Sequence, residues 1–84
     1  MAKCSVCFKR EGFAGELVRN NCTIIFDYIK RTGDGYIGAW YVIDDETPSN
    51  VIFASNDNLF SIEPTKEDVI ESAKSHPSIR DFSL

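Results

Sequence analysis

Hydrophobic and polar positions along this chain fall mostly in a period of two, the spacing of strands with one buried face. From Lys3 to Lys9 the alternation is clean. Cys4, Val6 and Phe8 share one side, and Lys3, Ser5, Cys7 and Lys9 share the other. The residues Arg10 to Gly12 are turn material, and Phe13 to Arg19 is a weaker strand candidate. Residues 22–43 carry the strongest signal. "CTIIFDYIKR" and "YIGAWYVI" are rich in β-branched and aromatic residues and are joined by the turn chemistry of "TGDG", which predicts a β-hairpin. A helical reading competes, because Val18, Cys22, Ile25 and Ile29 also fall at helical spacing. The poor helix propensity of "NNCTIIF" favours strand.

Beyond the hairpin, "DDETPSN" reads as a polar turn, "VIFAS" as a short strand, "NDN" as a turn and "LFSI" as another short strand. The pattern then changes period. In "TKEDVIESAKSH" the apolar positions Val69, Ile70 and Ala73 form a helical stripe. Thr65 with Asp68 three residues later resembles a capping box, and Pro77 stops the helix. Ile79, Phe82 and Leu84 remain to dock the tail. The expected fold is α+β, with a small antiparallel sheet of four to six strands in a meander. Its 22–43 hairpin packs against one C-terminal helix at about 65–76, and residues 1–84 form a single domain.

Pairing Arg31 with Tyr36 across the turn sorts the hairpin into two faces. One collects Cys22, Ile24, Phe26 and Tyr28 with Ile37, Ala39, Tyr41 and Ile43 and is expected to meet the helix. The other collects Thr23, Ile25, Asp27, Ile29 and Arg31 with Tyr36, Gly38, Trp40 and Val42. A single short helix covers one side of a sheet. The second face therefore reads as an exposed association surface around Trp40, Tyr36, Ile29 and Ile25, edged by Asp27 and Arg31. The competing reading is that this face is itself core.

Charge refines the picture. The 84 residues carry a net charge of −4. Six basic and three acidic side chains lie in residues 1–31, against three basic and ten acidic in residues 32–84. This balance argues against nucleic-acid binding, which depends on phosphate neutralisation. It suits a basic protein partner, with Asp44, Asp45 and Glu46 as an acidic edge. No apolar run approaches the roughly 20 residues of a membrane helix, and the first residues lack a signal-like stretch, so the expected address is cytoplasmic.

Candidate chemistry is sparse. Cys4, Cys7, Cys22 and His76 are the available thiol and imidazole ligands, enough in number for a zinc site. On a strand, however, Cys4 and Cys7 point to opposite faces. Nothing after Cys7 resembles the helix start of a redox pair, and the odd cysteine count gives no disulfide framework. His76 sits at a helix end rather than among a nucleophile and an orienting group. No cofactor is expected. The sequence therefore points to a non-enzymatic, acidic protein-binding domain of inhibitor, immunity or adaptor type, with homodimerisation through the Trp40 face as a variant. The alternatives are a zinc-stabilised structural or nucleic-acid-binding module built on Cys4, Cys7 and Cys22, and a small enzyme using His76 or the Asp44–Glu46 cluster.

Overall fold

The computed structural model describes residues 2–9, 12 and 14–84. Arg10, Glu11 and Phe13, in the expected turn and at the start of the second strand candidate, lie outside the described residues. The elements are β1 (Ala2–Lys9), β2 (Glu16–Thr32), β3 (Gly35–Asp44), β4 (Thr47–Phe60), α1 (Lys66–Ser72) with a 3₁₀ turn at Ala73–Ser75, and β5 (Ile79–Ser83). They form one antiparallel sheet of order β4-β3-β2-β1-β5, matching the α+β expectation. The first four strands are a meander. The helix then carries the chain across the sheet, so that β5 pairs with β1 at the opposite edge.

Several local expectations are met. The alternation in β1 places Ala2, Cys4 and Val6 in the core. Thr65 caps α1 through a reciprocal box: its side chain accepts from the Asp68 N–H at 3.1 Å, and the Asp68 carboxylate accepts from the Thr65 N–H at 3.0 Å. Val69, Ile70 and Ala73 are buried against the sheet. Three segments differ. The second strand candidate and the first arm of the hairpin are one 17-residue strand, β2, with no helix. "NDN" is not a turn but part of β4; the register steps from Trp40↔Ser55 to Gly38↔Asn58, so extra chain bulges out there. The tail is a strand, with Ile79 buried and Leu84 exposed.

The sheet curls tightly around the helix side. Two strands lie between β1 and β4, which in a flat sheet would separate them by about 14 Å. Yet the Phe8 and Phe53 ring centroids are 5.3 Å apart. Trp40 lies 5.7 Å from Phe53 and 5.7 Å from His76, closing an aromatic cluster on the concave side.

Candidate functional site

The hairpin pairs as expected at its tip, Arg31↔Tyr36 and Ile29↔Gly38. Between Phe26 and Tyr28 the register then slips by one residue, a β-bulge at Asp27, and the pairs become Phe26↔Trp40, Ile24↔Val42 and Cys22↔Asp44. Because side chains alternate, the extra residue moves the β2 side chains beyond it to the other face relative to β3. Cys22, Ile24 and Phe26 therefore join Gly38, Trp40 and Val42 beneath the helix. Tyr28, Ala39, Tyr41 and Ile43 are on the open side because the helix packs on the Gly38 side of β3.

This corrects the expected surface. Trp40 is 1% exposed and belongs to the core. Ile29 packs against that core, and Arg31 and Tyr36 lie on the helix side of the sheet at the hairpin tip. Ile25 and Asp27 do lie on the open side, Ile25 partly exposed and Asp27 exposed. One signal in the sequence identifies the helix-side face. Gly38 sits mid-strand, where glycine marks close approach by another element, and a Cβ there would lie 2.8 Å from Val69 Cγ2.

The open face divides into a polar and an apolar half. Around β1, Lys3 Nζ donates to Thr23 Oγ1 at 2.7 Å and pairs with Asp45 at 3.0 Å, while the Thr23 hydroxyl donates to the same carboxylate at 2.5 Å. The Thr23 hydrogen bond, then Lys3, hold the Asp45 carboxyl below its ordinary value. Asp44 is buried, accepts from the Glu46 N–H at 3.0 Å and lies 3.7 Å from Arg19 Nε. The expected acidic edge is thus spent on internal contacts at Asp44 and Asp45, leaving Glu46 exposed without such a tie. Over β2, β3 and β4 the open face is largely apolar, with the exposed charges of Asp27 and Lys30 among its hydrophobic side chains. Val51 is 54% exposed, Leu59 64% and Tyr28 41%, with Ile25, Ile37, Tyr41 and Ile43 partly exposed among them. Of these residues, hairpin periodicity found only Ile25.

Two hollows flank this region. One, of about 250 Å³, lies between Asp27 and Tyr28 of β2 and Ala54, Ser55 and Asn56 of β4, with the buried residues Ala39 and Trp40 of β3 between them. The other, of about 430 Å³, lies beside the helix and includes Phe60, Ile62, Pro64, Asp68 and Glu71.

The thiols and the imidazole do not converge. Cys4 and Cys22 face each other across β1 and β2 inside the core, whereas Cys7 points to the opposite side and its thiol donates to the Glu16 carboxylate. Burial, foremost, pushes the Cys4 thiol up to about 12, and burial likewise raises Cys22. His76 packs on Phe53 and Trp40, and its Nδ1 accepts from the Ser78 N–H at 3.1 Å. Among the described residues no group of three or more His, Cys, Asp or Glu side chains is arranged to hold a metal ion. Nor is any described helix long and apolar enough to cross a membrane.

No protein-family model matches the chain, and neither a curated protein nor a solved structure shows significant similarity to it.

Proposed function

We propose that this chain is a non-enzymatic protein-binding domain that docks a basic protein partner on the open half of its sheet, in the manner of an inhibitor, immunity or adaptor protein. One observation carries the reading. The helix covers one side of the sheet, while Tyr28, Tyr41, Val51 and Leu59 stand on the other, exposed or partly exposed among the described residues. Contiguous apolar surface of this kind is uncommon on monomers unless it binds something, and tyrosine is a frequent anchor at interfaces. The excess of acidic side chains in residues 32–84, which include β3 and β4, supports a partner of opposite charge, since complementary potentials speed encounter. A cytoplasmic address fits the three free thiols. The non-enzymatic reading is supported by the fate of the candidate groups: the His76 ring is taken up by aromatic packing and Asp44 by backbone and Arg19.

The test compares wild type with Tyr41→Lys and Leu59→Lys, two changes on the open face that leave the core intact, using native mass spectrometry of affinity-purified protein. Wild type is expected to retain a basic protein at fixed stoichiometry, and each variant to lose it while keeping its circular dichroism spectrum. Recovery of the partner by both variants overturns the reading. So does a wild-type spectrum containing only monomer or only a homodimer.

A further inference from the structure

We propose that the hollow beside Asp27 is a socket for one arginine side chain of that basic partner; the proposal rests on the protein-binding reading above. Two bulges meet at this level of the sheet, one on each side of Ala39. In β2 the extra residue falls at Asp27, between the pairs Phe26↔Trp40 and Tyr28↔Ala39. In β4 it falls after Ser55, between Trp40↔Ser55 and Gly38↔Asn58. Bulges re-aim side chains and concentrate at working sites. Here they set Asp27 and Asn56 on opposite sides of a depression in which the small residues Ala39 and Ala54 leave room.

Size, charge and shape then select the occupant. About 250 Å³ is below the range of roughly 300–1,000 Å³ usual for small-molecule pockets and suits a single long side chain. Among the described residues lining the hollow, Asp27 is the one that carries a charge. It is exposed, and its carboxylate makes no hydrogen bond or ion pair with any described residue. Beside it stands the Tyr28 ring, 41% exposed as a residue. A guanidinium meets a carboxylate through two parallel hydrogen bonds and stacks on an aromatic face, while its methylene stem covers apolar surface such as the exposed Ala54. A lysine ammonium, compact and strongly hydrated, uses less of this arrangement.

The experiment follows backbone-amide NMR of the isotopically labelled full chain during titration with acetyl-arginine-amide, and separately with acetyl-citrulline-amide, its uncharged isostere. The arginine probe is expected to shift Asp27, Tyr28, Ala39, Ala54 and Asn56 at millimolar concentration. The citrulline probe is expected to bind roughly tenfold more weakly or worse. Asp27→Asn removes the preference for arginine, and Ala54→Leu, at an exposed position, fills the hollow and abolishes the shifts. Equal response to both probes, an unchanged response in Asp27→Asn, or no localised shift overturns the socket. The two proposals fail separately: a partner lost by Tyr41→Lys but held unchanged by Asp27→Asn refutes the socket and leaves the docking face standing.

Discussion

Gly38 lies directly under Val69: a Cβ built on the glycine would sit 2.8 Å from one Val69 methyl and 2.9 Å from the other. The helix approaches β3 this closely because nothing projects from position 38. Gly38→Ala is expected to push the helix off the sheet and cost about 1–3 kcal/mol, the usual range for overpacking a filled core. Val69→Ala destabilises on its own by opening a cavity, yet it makes the room that the added methyl needs. In urea denaturation the double variant should therefore lose less than the two single losses added together. Strict additivity would mean that the two residues do not press on one another.

Trp40, the sole tryptophan, is the centre of the concave core rather than a surface anchor. Its truncation to alanine is expected to cost about 3–5 kcal/mol. That is a large part of the 5–15 kcal/mol that holds a typical domain folded. Thermal melts by circular dichroism check this. A Trp40→Ala protein with an unchanged midpoint would show that the ring is not core.

The exchange of Trp40 for Tyr41 on the open face shows how far the sequence could be read. The hairpin turn and the pairing of Arg31 with Tyr36 follow from local chemistry, because "TGDG" places the reversal and the strands continue from it. Thr65, Asp68, Val69 and Ile70 are legible for the same reason: capping and helical spacing act within a few residues. The bulge at Asp27 is different. It has no one-residue signature, and once it slips the register the β2 side chains beyond it change sides relative to β3. Helix packing decides between the faces, and Gly38 records that decision. A strand glycine where the helix must come close was a sign that Trp40 and Val42 point toward α1. The bulge in β4 misleads in the same way, since "NDN" has turn composition while remaining in a strand.

The capping box makes a separate prediction. α1 has only seven residues, too few to be stable by propensity alone, so its first turn depends on the reciprocal bonds of Thr65 and Asp68. Thr65→Ala is expected to lower stability by about 1 kcal/mol, and Thr65→Ser to restore most of it. Equal losses for both variants in chemical denaturation would show that the hydroxyl is not the stabilising group.

The thiols should separate by accessibility and by pH. Cys7 is partly exposed and is expected to be the cysteine alkylated in the native protein, whereas Cys4 and Cys22 react only after unfolding. Glu16 accepts the Cys7 hydrogen bond and raises its pKa, so Glu16→Gln should speed iodoacetamide labelling at mildly alkaline pH. Cys4 adds a stability effect. Its folded-state pKa lies near 12, above the ordinary 9.0, so its contribution is fully present below pH 9 and is lost as pH rises from there toward 12. Cys4→Ser should flatten that alkaline limb. Native labelling of Cys4 at the rate of Cys7 would contradict the burial.

Asp45 gives the opposite limb. Its folded-state pKa is depressed, by the Thr23 hydroxyl first and by Lys3 next. A carboxylate of this kind stabilises the fold above its unfolded pKa, and the contribution is lost as pH falls through the lower, folded value. Asp45→Asn should therefore melt below wild type at neutral pH, with the gap closing as acid protonates the wild-type carboxyl. Lys3→Met should reproduce part of the neutral-pH loss, because it removes the second cause and leaves the first. The measurement is the thermal midpoint of the three proteins between neutral pH and the acid limb. A gap that stays constant across the titration would show that Asp45 is held by shape rather than by charge.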